Sequence, residues 1–133
     1  MKKFLVLVLF VCCCLLATAQ IGTWRAYMAY HDVQQICAAD NYLFVLASNN
    51  LYQYNLNDQS ITTYDKTSGL NDTYITHIAW NKKAKRLIAV YQNSNIDLID
   101  TDGEVTNIAA LHDKAMTGDK TIDSLTIDGV YAY

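Results

Sequence analysis

Beyond residue 19 the apolar positions fall into short runs separated by clusters of Asn, Asp, Ser and Gly. This is the spacing of strands rather than of helices. The runs predict four strands at Gln34–Ala39, Tyr42–Ala47, Leu51–Asn55 and Ser60–Tyr64, with turns at Asp40-Asn41, Ser48-Asn49-Asn50 and Asn57-Asp58. The segment YLFVL from Tyr42 is apolar without alternation, as a strand covered on both faces should be. In the third strand Leu51, Gln53 and Asn55 alternate with Tyr52 and Tyr54, and the tyrosines are expected to pack against a neighbouring sheet. The same plan returns at Ile75–Asn81, Arg86–Tyr91, Asn95–Asp100 and Glu104–Ala109, with Asp102-Gly103 as a tight-turn pair. His112 to Lys120 is a polar loop. A third unit then opens with a hairpin, Ser124–Ile127 and Val130–Tyr133 around Asp128-Gly129. No stretch after residue 19 holds a helical apolar stripe for three turns.

A repeat of about forty residues with four short strands in each unit is the pattern of β-propeller blades. The fold class is therefore all-β, with about two and a half blades where a closed ring needs roughly four to eight. The aromatic segment Trp24–Tyr30 precedes the first full unit and is expected to be the outer strand of the last blade, closing the ring.

The first nineteen residues carry a different pattern. Lys2 and Lys3 precede an unbroken apolar run from Phe4 to Leu16, and Ala17-Thr18-Ala19 supplies the small residues of a cleavage site. The run is too short to span a bilayer comfortably. Residues 1–19 read as a signal peptide for Sec export, and residues 20–133 as the N-terminal part of a propeller domain with no transmembrane span after cleavage. Periplasm or outer cell surface is the expected location. Cleavage removes three of the four cysteines and leaves Cys37 alone in an apolar strand, so no disulfide forms within the chain and a buried, inert thiol is expected.

Charge and motifs narrow the chemistry further. The formal net charge is −3, and Lys82, Lys83, Lys85 and Arg86 form the single basic cluster, placed at a hairpin tip. Nucleic acid is not an expected partner. The acidic stretch Asp97–Glu104 resembles a calcium loop only superficially: with Gly103 at the sixth position, Leu98 and Ala109 occupy the first and twelfth, where oxygen ligands belong. His31, His77 and His112 show no metal-ligand spacing. No nucleophile elbow, phosphate loop or zinc-helix motif occurs. Neither catalytic residues, cofactor nor metal are expected, and the chain reads as non-enzymatic. Trp24, Trp80 and ten tyrosines remain as possible contact surfaces. Tyr74 and Tyr91, near predicted strand ends, are the ones singled out for ligand or partner contact.

Two stretches carry a resemblance. Thr67-Ser68-Gly69-Leu70-Asn71-Asp72-Thr73-Tyr74-Ile75-Thr76-His77-Ile78 resembles the blade junction of two-component-regulator propeller repeats, where a Gly-Leu pair and a small polar loop precede the inner strand. The opening Gly22-Thr23-Trp24-Arg25-Ala26-Tyr27, with Leu51-Tyr52-Gln53-Tyr54 and Asn93-Ser94-Asn95-Ile96-Asp97-Leu98, resembles the N-terminal propeller of the PorZ family. That resemblance implies a non-enzymatic surface component of the type IX secretion system. It would engage attachment-complex proteins and anionic lipopolysaccharide and support the processing of secreted cargo. It carries over no individual binding residue. The alternatives are the periplasmic glycan-sensing propeller of a hybrid two-component regulator and, further off, a propeller polysaccharide lyase or glycosidase.

Overall fold

The structure, a computed structural model, describes residues 27–133. The signal-peptide reading of residues 1–19 and the tryptophan of the aromatic opening lie outside the described residues. Two four-stranded antiparallel sheets follow one another along the chain. Strands β1 (Val33–Ala39), β2 (Tyr42–Ala47), β3 (Asn50–Asn55) and β4 (Ile61–Tyr64) form the first in the order β1-β2-β3-β4. Strands β5 (Ile75–Asn81), β6 (Arg86–Tyr91), β7 (Ile96–Asp100) and β8 (Val105–Ile108) form the second in the order β5-β6-β7-β8. A one-turn helix α1 (Ala110–Asp113) and a small hairpin of β9 (Ile127–Asp128) and β10 (Tyr131–Ala132) complete the described chain. The positions of β1–β8 agree with the turn chemistry to within a residue, whereas the third unit's first strand, expected over Ser124–Ile127, forms only at Ile127–Asp128, so that Asp128 lies in the strand and not in the turn. Ser48 and Asn49, at φ 48° and 60°, form a two-residue loop with both central residues left-handed, the turn whose twist suits a hairpin. Each first strand slips register at its start, between Val33 and Gln35 and between Ile75 and His77, so the repeat extends to its irregularities.

The sheets stack face to face, with β1 and β5 as the adjoining inner strands. Alternation puts Phe44 and Leu46 of β2 on the face of Leu51 and Tyr64, and these meet Ile78, Leu87, Ala89, Tyr91 and Ile99 of the second sheet in one buried cluster. Phe44 stacks on Trp80 with ring centres 5.8 Å apart. Each large side chain buried here contributes about 1.5–3 kcal/mol. The cross-strand pair Leu46–Leu51 fixes which face of β3 turns inward, so Leu51 and Gln53 face the second sheet and the tyrosines do not. Tyr52 instead receives the edge of Tyr30 at 5.4 Å. The expected ring-closing strand is not formed over its described part: Tyr27–Tyr30 is irregular. Its backbone is held through a side chain, with Asn50 Nδ2 donating to the Ala29 carbonyl at 3.0 Å.

Candidate functional site

The seam between the sheets is organised by the segment that joins them. Asp65 opens it by accepting hydrogen bonds from the Thr67 and Ser68 amides, and the Thr67 hydroxyl and those amides hold its carboxyl below the usual carboxylate range. Gly69 then turns the chain at φ +112°, a conformation that only glycine adopts without strain. The turn inserts Leu70 into the buried cluster and brings Asn71 over Asp97. Asp97 is wholly buried and accepts four hydrogen bonds: the Asn71 amide at 2.8 Å, Asn71 Nδ2 at 3.0 Å, Asn107 Nδ2 at 2.8 Å and the Tyr91 hydroxyl at 2.6 Å. A buried carboxylate is tolerated when its lone pairs are filled in this way.

This arrangement corrects the contact reading of Tyr91. The residue is 1% exposed, because alternation along β6 puts it on the same inward face as Leu87 and Ala89. Burial, with the adjacent Asp97 carboxylate, pushes its phenol well above the usual tyrosine value. Tyr91 is a seam residue and offers no surface to a ligand.

Tyr74 is placed differently. It is 52% exposed, directly before β5, and its backbone is left-handed at φ +65°, an uncommon conformation for an aromatic residue. Both sheets pin it there. The Gln92 amide donates to the Tyr74 carbonyl at 3.1 Å, the Ile75 amide donates to the Asn49 carbonyl at 3.0 Å, and Asn49 Nδ2 returns to the Ile75 carbonyl at 2.9 Å. Strain held by surrounding contacts is a feature of binding and catalytic positions.

A second feature had no signal in the sequence. A concave groove of 340 Å³ opens between the outer strands of the first sheet and the turn joining β7 to β8, lined among others by Tyr42, Gln53, Thr62, Ser68, Thr101 and Asp102. Its lining is mostly hydroxyl and carboxamide. The turn that forms one wall is fixed by Asp100, whose Oδ1 accepts from the Asp102 and Glu104 amides, and by Gly103 at φ +88°. The acidic stretch is thus occupied as a hairpin turn. On the floor, the Tyr64 hydroxyl donates to Gln53 Oε1 at 2.8 Å, and burial pushes the Tyr64 phenol up to about 12. Gln53 Nε2 is buried with no partner among the described residues.

The remaining sequence candidates lie apart. His31, His77 and His112 each contact a local group, respectively the Ser48 hydroxyl, the Thr76 hydroxyl and the Asn93 carbonyl. Among the described residues no three His, Cys, Asp or Glu side chains form a metal-holding group. Cys37 is half-buried, with its Sγ donating to the Ile78 carbonyl at 3.6 Å, and burial raises its thiol pKa. Lys82, Lys83 and Lys85 stand at the β5–β6 tip, where Asn81 Oδ1 caps the turn by accepting from the Lys83 and Ala84 amides. No helix among the described residues is long and apolar enough to cross a membrane.

The family described as "TSS9, PorZ, N-terminal beta-propeller domain" matches residues 43–133. The chain belongs to the PorZ N-terminal β-propeller family. Its two four-stranded sheets are accordingly consecutive propeller blades, and the hairpin β9–β10 opens a third. Among solved structures, PorZ of Porphyromonas gingivalis, described as an essential bacterial surface component of the type IX secretion system, is 34% identical with a TM-score of 0.78. The alignment covers 84% of this chain and 15% of that one. The extracellular domain of BT4673 from B. thetaiotaomicron, described as a one-component system, shares the fold at a TM-score of 0.57 and 18% identity, over 78% of this chain and 14% of its own. This chain therefore spans a small part of the length of either. No curated protein matches it.

Proposed function

We propose that this chain supplies the opening blades of an exported, non-enzymatic propeller that works as a binding and assembly module of type IX secretion at the cell surface. Residues 1–19 direct Sec export and are removed, leaving residues 20–133 as the start of the propeller domain. The partners are proteins of the attachment complex and anionic lipopolysaccharide, and the role is to support the anchoring and processing of secreted cargo. Membership of the PorZ propeller family over residues 43–133 carries the reading. The exposed, pinned Tyr74 is the contact residue that the geometry favours, since it presents an aromatic ring from a rigid backbone and loses little freedom on binding.

The test is to tag the chain in its own bacterium, label intact cells with a membrane-impermeant biotin reagent, and purify the tagged protein from the outer membrane. The reading predicts a biotinylated protein that brings type IX components and lipopolysaccharide with it. Recovery from the inner membrane, unlabelled and associated with a histidine kinase, would overturn it in favour of a sensor.

A further inference from the structure

We propose that the groove between the outer strands of the first blade and the β7–β8 turn is a binding site for a neutral saccharide unit, a single uncharged pyranose ring. This site is separate from the secretion reading and does not depend on it. Its volume of 340 Å³ lies near the lower end of the ~300–1,000 Å³ typical of small-ligand sites. The chemistry of its wall selects the class. Thr62 and Thr101 bring hydroxyls, which donate and accept equally well and so match the alcohol groups of a sugar, whereas the Ser60 and Ser68 hydroxyls already donate to Asp58 Oδ1 and the Asp65 carbonyl and shape the wall. Asn55 adds a carboxamide whose Oδ1 already accepts from the Asn57 amide, leaving its Nδ2 as a donor for the ligand. Tyr42 supplies an aromatic side chain of the kind that packs against the C–H face of a ring.

Charge excludes the neighbouring classes. Among the described residues no Lys, Arg or His lines the groove, and the single ionic group in its lining is the exposed carboxylate of Asp102. A phosphate or uronate would therefore find no counter-charge and one repelling group. A cation would find one carboxylate where a calcium site needs several oxygen ligands of fixed geometry. An apolar ligand would leave the hydroxyls and amides without partners on binding.

Gln53 is the second, independent observation. It is 6% exposed and its Oε1 is occupied by Tyr64, yet its Nε2 has no acceptor among the described residues. A buried donor left unpaired costs on the order of 1–3 kcal/mol. Because Nε2 is closed off in the empty groove, a ligand oxygen reaches it only as the Gln53 side chain turns toward the opening. The unfilled donor is a reason for that turn to be favourable.

The experiment is saturation-transfer NMR on the full chain with methyl α-D-mannopyranoside and methyl β-D-glucopyranoside, and methyl β-D-glucuronide as the charged control. At least one neutral glycoside should bind saturably with a Kd on the order of millimolar, and the glucuronide more weakly. Thr62→Val and Thr101→Val each remove one hydroxyl with little change of shape, and each should weaken binding about five- to tenfold, with the melting temperature unchanged. Tyr74→Ala, on the loop before β5, should leave it untouched. Absence of saturable binding by either neutral glycoside, glucuronide binding as tight as the neutral sugars, or full affinity in both valine variants would each overturn the proposal. The secretion reading would stand in all three cases, since its test is a location and a set of partners.

Discussion

Replacing Asp97 by Ala removes the acceptor on which the blade junction closes. Four hydrogen bonds are lost, from the Asn71 amide and Nδ2, Asn107 Nδ2 and the Tyr91 hydroxyl, although Asn107 Nδ2 keeps Asn95 Oδ1 and the Ile96 carbonyl as acceptors. Their costs differ. Asn71 and Asn107 are exposed residues, so water replaces the lost bonds at about 0.5 kcal/mol each. The Tyr91 hydroxyl is buried and left unpaired, at about 1–3 kcal/mol. The sum is about 3 kcal/mol, a large share of the roughly 5–15 kcal/mol by which domains are stable. Urea unfolding followed by tryptophan fluorescence measures it, with Trp80 on Phe44 as a reporter at the seam. Tyr91→Phe alone should cost about 1–2 kcal/mol, whereas in the Asp97→Ala background it should cost nothing, because the orphaned hydroxyl is gone. A loss below about 1 kcal/mol for Asp97→Ala, or additive effects of the two changes, would refute the view that this carboxylate holds the junction.

Other consequences follow from the same geometry. Gly69→Ala should destabilise by more than about 1 kcal/mol through its left-handed backbone, since Val105 Cγ2 at 3.7 Å leaves room for the added carbon; Gly118→Ala, with no positive φ, should stay within about 0.5 kcal/mol in the same urea assay. Alkaline pH should destabilise the fold: below pH 10.0 the Tyr64 and Tyr91 phenols are protonated folded and unfolded alike, and above it the unfolded phenols ionise first. Stability should therefore fall from pH 10.0 towards about 12, the folded value for Tyr64, and Tyr64→Phe should flatten that fall in urea midpoints taken across this range. Tyr74→Gly should raise stability by about 1 kcal/mol by relieving the left-handed backbone, while weakening co-purification of surface partners; a loss of stability would mean that the ring packs as part of the fold.

The sheets were legible because their turns are written in Asn, Asp, Ser and Gly at regular spacing, and because YLFVL has the unbroken apolarity of a strand covered twice. Phe44, Val45, Leu46 and Ala47 are all buried. The Gly-Leu pair of the junction was visible as a motif, and its physical reason is the insertion of Leu70 by the backbone that Gly69 permits. Tyr91 was misread by its place near a strand end, although counting two-residue steps from Leu87 through Ala89 puts it inward. The orientation of Tyr52 and Tyr54 depended on cross-strand register, which the alternation of a single strand does not fix. Asp97 was hidden in an acidic stretch, since its role needs Asn71, which is 26 residues away in sequence. The groove was invisible for the same reason. Tyr42, Gln53 and Thr62 become neighbours of Thr101 only when the two blades stack.

The most direct test of the surface-module account is deletion of the gene in its own bacterium, followed by fractionation of type IX cargo. The account predicts that cargo is no longer anchored and processed at the cell surface, and that the wild-type gene in trans restores it. Normal surface cargo in the deletion strain, with loss of a transcriptional response to a glycan, would contradict it.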